Sequence, residues 1–211
     1  MCIRDRFQSQ HVAGALHAAT RAIGGCPVYV SDHPGKHDFE ILHQLVFPSG
    51  RVLRCRQAGR PTRDCLFRDV TRDGRTALKV WNRNFVNSVI GVFNIQGASW
   101  SRATNQFASL PKPISATLAE LCPRDVEGIA DRSTQGASFV VRSHRNRRIE
   151  ILRLKECTSI MLMHKDWEIY TIAELLEQGD IKFAAIGLTA MYNGGGSILP
   201  VSYTHLRAHE T

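Results

Sequence analysis

The 211-residue chain is 43% hydrophobic and 22% charged, an ordinary balance for a globular protein with room for one large or two small domains. No apolar run approaches the ~20 residues that a membrane-spanning helix needs. The net charge of +8 admits nucleic acid as a partner. However, the densest basic cluster, Arg142-Ser143-His144-Arg145-Asn146-Arg147-Arg148, has no interleaved aromatics and reads as a solvated hairpin turn.

Residues 1–6 (MCIRDR) and 200–211 (PVSYTHLRAHET) resemble translated sequencing-adapter read-through. They are set aside from fold reasoning, as an expression tag would be. On that reading residues 7–199 are a piece of a longer protein. No Asn-X-Ser/Thr sequon occurs, which fits a cytosolic protein.

The first element is an amphipathic helix over 10–23, with Val12, Leu16, Ala19 and Ile23 on one face. Gly24-Gly25 supplies a left-handed C-terminal cap. The strand at 27–30 lacks polar alternation, as strands buried on both faces do. Its polar tip is Ser31-Asp32-His33, followed by a Pro34-Gly35 turn. In α/β folds chemistry sits just past the carboxyl ends of the strands, which makes Ser31, Asp32 and His33 the candidate site residues. Asp32 reads either as a hydroxyl acceptor or loop anchor there, or as a cap of the Pro34-Gly35 turn. A second helix over 38–47 starts at Asp38, a good N-cap, and buries Phe39, Leu42, Leu45 and Val46.

Beyond Pro48 the pattern changes to short strands and turns. Strands are expected at 51–53, 77–82, 89–95, 114–118, 138–142, 148–154, 159–163, 167–172 and 182–188, with turns at Asp73-Gly74, Arg145-Asn146 and Lys165-Asp166. An antiparallel β-sandwich is the expected architecture.

Outside the set-aside start, Cys26, Cys55, Cys65, Cys122 and Cys157 are scattered, odd in number and free of any C-x-x-C pair. They read as reduced thiols rather than as a disulfide frame or a structural zinc site. A metal at Cys26, His33 and His37 is disfavoured, because Pro34-Gly35 breaks helical pairing of the histidines and no fourth ligand is evident. His11 and His17, six residues apart, fall on different faces of a helix. Asp64 and Asp69 read as turn or salt-bridge groups.

The segments FQSQHVAGALHAATRAIGGCPVYVSDHPGKHDFEIL (7–42), GRPTRDCLFRDVTRDGRTALKVWNRN (59–84), VIGVFNIQGASW (89–100), CPRDVEGI (122–129), FVVRSHR (139–145) and FAAIGLTAMYNGGGSI (183–198) occur in collinear order. Together they resemble the raffinose synthase, stachyose synthase and alkaline α-galactosidase group (the seed-imbibition proteins) of glycoside hydrolase family 36. The resemblance implies a (β/α)8 catalytic barrel followed by a β-sandwich. Residues 7–47 would be the C-terminal end of the barrel, with Phe7-Gln8-Ser9 closing its seventh strand and 27–30 its eighth. Residues 48–199 would be the sandwich.

The resemblance also implies a chemistry. Retaining α-galactosyl transfer uses two carboxylates about 5 Å apart, one as nucleophile and one as acid. In the family these are aspartates of a Lys-Val-Asp strand and a Ser-Asp-Asp segment, and neither pattern occurs here. The implied parent moves galactose from galactinol to sucrose or hydrolyses raffinose-type oligosaccharides as an alkaline α-galactosidase. It needs no cofactor, no metal and no nucleic acid or membrane partner. It works in the cytoplasm, or in the plastid of a photosynthetic source. Two other classes stand beside this reading: a non-catalytic carbohydrate-binding or interaction β-domain, and a basic nucleic-acid binder. By itself the chain is expected to be inactive and poorly soluble, with a lone barrel strand unpaired at both edges and both helices without packing partners.

Overall fold

The computed structural model describes residues 6–101, 103–109 and 116–199; of the residues read as adapter-like only Arg6 lies within these. The chain is mostly β-sheet with few helices. Two short parallel strands open it, β1 (Arg6–Phe7) and β2 (Tyr29–Val30), with Arg6 opposite Tyr29 and Phe7 opposite Val30. Helix α1 (Gly14–Gly24) connects them, and α2 (Phe39–Leu42) follows.

The largest sheet has six antiparallel strands in the order β10-β9-β12-β5-β4-β3. These are β3 (Arg60–Pro61), β4 (Leu78–Arg83), β5 (Ser88–Phe93), β9 (Ser138–Ser143), β10 (Ile149–Arg153) and β12 (Trp167–Glu174). Its centre is rich in β-branched and aromatic residues, which suit a pleated buried surface. All six residues of β5 are buried. Three two-stranded ladders complete the described strands: β6 (Ala98–Ser101) with β7 (Gln106–Ser109), β8 (Ala116–Leu121) with β11 (Thr158–Met163), and β13 (Leu176–Gln178) with β14 (Ile181–Phe183).

The period-2 alternation of β5 and β12 sorts their side chains between two cores. On one face Ile90, Val92, Phe139, Val141, Tyr170 and Ile172 pack against Leu121, Ile160 and Leu162 of the β8–β11 ladder. On the other face Val89, Phe93 and Ile169 pack against Ala18, Ala19, Ala22 and Ile23 of α1 and against Phe7. Gly91 makes that second seat possible, since a Cβ there would stand 2.3 Å from Cδ1 of Ile23.

Several expectations are corrected. Helix α1 begins at Gly14, because the preceding residues form turns closed by His11 N–H to Gln8 O and Gly14 N–H to His11 O. Val12 is therefore 85% exposed, and Ala18, Ala19, Ala22 and Ile23 form the buried stripe. The left-handed cap holds, at Gly25 with φ of 70°. The second helix is a single turn: Asp38 caps it by accepting from Ile41 N–H, Phe39 is exposed, and Leu45 is the buried residue of that segment. Strand β2 is not buried on both faces; Tyr29 is exposed because only β1 flanks it. One of its edges is paired with β1, however, and α1 has a packing partner in the large sheet.

The strand at 51–53 reduces to one bridge between Val46 and Val52. In the stretch 182–188 only the first two residues are strand, as part of β14. Strands β3, β6, β7 and β13 were not expected. Of 114–118, residues 114 and 115 lie outside the described residues.

The cysteine reading is also corrected. Cys122 and Cys157 form a disulfide, while Cys26, Cys55 and Cys65 are free. Register is the cause: Leu121 pairs with Thr158 in the β8–β11 ladder, so Cys122 and Cys157 are the next opposing residues, with Cα atoms 4.2 Å apart.

Two outcomes follow from this packing. Thiol titration in denaturant should find Cys26, Cys55 and Cys65 reactive and Cys122 and Cys157 only after reduction, with reduction lowering stability by about 2–4 kcal/mol; equal reactivity before reduction would contradict the pairing. Ile23→Ala, at a fully buried position, should lower the unfolding free energy by about 2–5 kcal/mol in a denaturant titration, and a loss below ~1 kcal/mol would mean that α1 does not seat on the sheet.

Candidate functional site at the ends of the parallel strands

Strands β1 and β2 run parallel, so their carboxyl ends lie side by side. The chain leaves β1 through Gln8-Ser9-Gln10 and β2 through Ser31-Asp32-His33. The two exits are joined first by the backbone, Ser31 N–H donating to Phe7 O at 2.9 Å. Asp32 joins them a second time. Its Oδ1 accepts from Ser9 N–H at 2.7 Å, and its Oδ2 accepts from Ser9 Oγ at 2.6 Å. His37 Nδ1 lies 3.2 Å from the same Oδ2 and is the donor of that pair, because a carboxylate only accepts.

Ser9 is 1% exposed and its hydroxyl is used twice. It donates to Asp32 and accepts from Asp38 N–H at 2.8 Å. Its carbonyl is crowded from the other side by the start of α1, where a Cβ on Gly14 would fall 2.2 Å from Ser9 O. Ser9 is the residue the sequence reading passed over. Nothing in its local pattern marks a serine whose partners lie 23 and 29 residues away.

The Asp32 side chain is 1% exposed. Burial works to raise its pKa, but the hydrogen bonds from Ser9 and His37 outweigh that and hold the carboxyl below the ordinary value. The carboxylate does not cap the Pro34-Gly35 turn, which closes through Lys36 N–H to His33 O. Of the three candidates, Asp32 ties the two exits together and Ser31 contributes its backbone N–H. His33 is exposed, with Nδ1 3.0 Å from Pro34 O. An open depression of about 390 Å³ lies over these ends, lined by Gln8, Gln10, His11, Asp32, His33 and Lys36 among others.

Asp38 is committed as well, since Oδ1 caps α2. The two aspartates of this site thus serve Ser9, His37 and Ile41, and neither is a free carboxylate. His11 and His17 are brought together, contrary to the helical-wheel expectation: their rings stack at 5.3 Å, because His11 sits in the turn before α1. Burial, then the neighbouring His11 and Arg21 charges, push His17 below the ordinary histidine value.

Elsewhere, Asp64 does form a salt bridge. Lys79, buried in the large sheet, reaches Asp64 at 3.0 Å, Asp125 at 2.7 Å and Glu120 O at 2.6 Å. Asp69 takes the Thr71 hydroxyl and N–H in a turn. The basic cluster forms the β9–β10 turn, and much of it is fastened. Arg145 pairs with Asp166 and lies 5.1 Å over the Trp167 ring, Arg148 meets Glu150, and His144 Nε2 is 3.0 Å from Gln44 Oε1. Buried Glu168 closes this turn by accepting from Arg145 N–H and Asn146 N–H. Among the described residues no group of three or more His, Cys, Asp or Glu is arranged to hold a metal ion.

Asp32 carries the pH behaviour of this site. With its folded pKa depressed, its contribution is present in full above about pH 4 and is lost as pH falls through the lower folded value. Asp32→Ala should cost about 1.5–3 kcal/mol at neutral pH, with the gap from wild type closing below about pH 4 in pH-dependent denaturation. A gap unchanged in acid would rule out the ionised tie.

Comparison with known proteins gives a consistent picture. Residues 3–208 match the model of the family described as raffinose synthase or seed imbibition protein Sip1. A probable galactinol–sucrose galactosyltransferase 6 of Arabidopsis thaliana is 40% identical over 204 residues, covering 94% of this chain and 27% of that protein. The galactinol–sucrose galactosyltransferase of Oryza sativa subsp. japonica is 41% identical, covering 92% and 25%. The stachyose synthase of Pisum sativum is 38% identical, covering 94% and 24%. The chain thus spans about a quarter of the length of these relatives. A crystal structure of a GH27 β-L-arabinopyranosidase from Geobacillus stearothermophilus covers 79% of this chain and 31% of its own at a TM-score of 0.47 and 11% identity, a likeness too loose to bear on the fold.

Proposed function

The chain belongs to the raffinose synthase or seed imbibition protein family, and from that premise we propose that it is the C-terminal part of a retaining α-galactosyl-transferring enzyme. The parent enzyme moves galactose from galactinol to sucrose or to a raffinose-type acceptor. Residues 7–47 are the end of a (β/α)8 barrel and residues 48–199 a β-sandwich packed against it. The parallel pairing of β1 with β2 supports the first assignment. The shared core of α1 and the large sheet supports the close packing of the two parts.

The observation that carries the reading is the Ser9–Asp32 tie at the carboxyl ends of two parallel strands, where barrel enzymes keep their sites. Ser31, Asp32 and His33 belong to the sugar rim of that site. The two catalytic aspartates lie on earlier barrel strands. Asp32 is buried with both oxygens engaged by Ser9 and His37, whereas a nucleophile must reach the anomeric carbon. No cofactor is required, since the glycosidic bond of the donor carries the energy. The parent acts in the cytoplasm or in a plastid.

The test uses the enzyme translated from the parent transcript and, separately, the 211-residue chain. With galactinol and sucrose the long enzyme should form raffinose with retained α-configuration, and the chain alone should form none. Raffinose formation by the chain alone, or failure of the long enzyme to transfer or hydrolyse α-galactosyl groups, would overturn the reading.

A further inference from the structure

Asp32 stands where a sugar ligand is expected, yet its oxygens are spent on the protein. Both bonds from Ser9 and the contact with His37 lie within the chain, and the side chain is 1% exposed. Each partner belongs to a different stretch of backbone. Ser9 sits in the exit from β1, immobilised between Asp38 N–H and the start of α1. His37 sits at the far end of the loop that leaves β2. A buried carboxylate with these three donors holds the two exits in one geometry, and leaving Ser9 without it would strand a buried N–H and hydroxyl.

Beside Asp32, the open depression is lined by groups of another kind. Gln8 and Gln10 flank Ser9 and are exposed, as are His33 and Lys36 on the opposite exit. The turn closed by His11 N–H to Gln8 O buries Ser9 and leaves its two neighbours exposed. Amides are paired donors and acceptors without charge, the chemistry that suits the hydroxyls of a neutral sugar.

We infer that Asp32 is a positioning residue rather than a sugar ligand: through Ser9 and His37 it fixes the β1 and β2 exits, so that Gln8 and Gln10 on one side and His33 on the other meet the substrate's hydroxyls together. This rests on the α-galactosyl reading proposed above. Loss of the tie separates two sets of contacts that must act at once, and small misplacements at a reacting centre are costly.

A double-mutant cycle on the long enzyme tests it. Asp32→Asn and Ser9→Ala should each lower kcat/KM for galactinol per folded enzyme by about 10–100-fold, mainly by raising KM, and the double variant should be no worse than either single one. Gln8→Ala and Gln10→Ala should raise KM without loss of thermal stability. Losses for Asp32→Asn and Ser9→Ala that simply multiply, or a silent Ser9→Ala beside a crippled Asp32→Asn, would make Asp32 a direct ligand and overturn the inference. Unchanged kcat/KM per folded enzyme in both would reduce the tie to a stability element and overturn it as well.

Amide exchange on the 211-residue chain gives a readout independent of activity. Asp32→Asn should speed exchange at Ser9 and at 31–38 together, and unchanged exchange at either stretch would sink the inference. A wild-type long enzyme that moves no galactosyl group would sink the functional reading alone, and the exchange result would still decide whether Asp32 holds the two exits.

Discussion

The seat of helix α1 on the six-stranded sheet is the constraint on which the remaining structure depends. Gly91 opens a gap in the middle of β5, and the buried end of Ile23 fills it. That contact makes the sheet apolar on both faces, so β5 and β12 are buried throughout most of their length. It also decides where the strand ends go. Phe7 enters the same core from β1, and the turn that leaves Phe7 places Ser9 beneath Asp32. The β region is thus a platform for the site, although its own residues do not line the depression.

The site is built by satisfying one buried charge. Asp32 is sheltered from water and would be costly to ionise alone. Three donors offset that cost, and they draw in two segments: Ser9 through its N–H and hydroxyl, His37 through its ring. Asp38 then uses the Ser9 hydroxyl as an acceptor and its own carboxylate as a helix cap. The order of these dependences explains why Ser9 tolerates no exposure and why α1 starts with a glycine at its closest approach.

Much of this was legible in the sequence because local rules govern it. The left-handed cap at Gly25, the N-cap at Asp38, and the strands that became β4, β5, β9, β10, β11 and β12 follow from turn chemistry and periodicity. So does the location of Asp32 at a strand end. What was not legible depends on register and tertiary contact. A spacing of 35 residues says nothing about Cys122 and Cys157 until the β8–β11 register is known. Val12 falls on the apolar face of a wheel drawn over 10–23, but the helix begins only at Gly14. The stacking of His11 on His17 is hidden from the helical wheel for the same reason. The basic run at 142–148 read as solvated because nothing in it signals Trp167, Asp166 or Gln44 as neighbours. Ser9 is invisible as a node, since a serine in a turn carries no mark of partners 23 and 29 residues away.

The central claim is that Asp32 organises the strand-end site from within and leaves the substrate to its neighbours. The most direct measurement is a crystal structure of the long enzyme with galactinol or its galactosyl moiety bound. The account predicts sugar hydroxyls within hydrogen-bonding distance of Gln8, Gln10 or His33, with Asp32 still bound to Ser9 and His37. A sugar hydroxyl bonded directly to the Asp32 carboxylate, with Ser9 released, would contradict it.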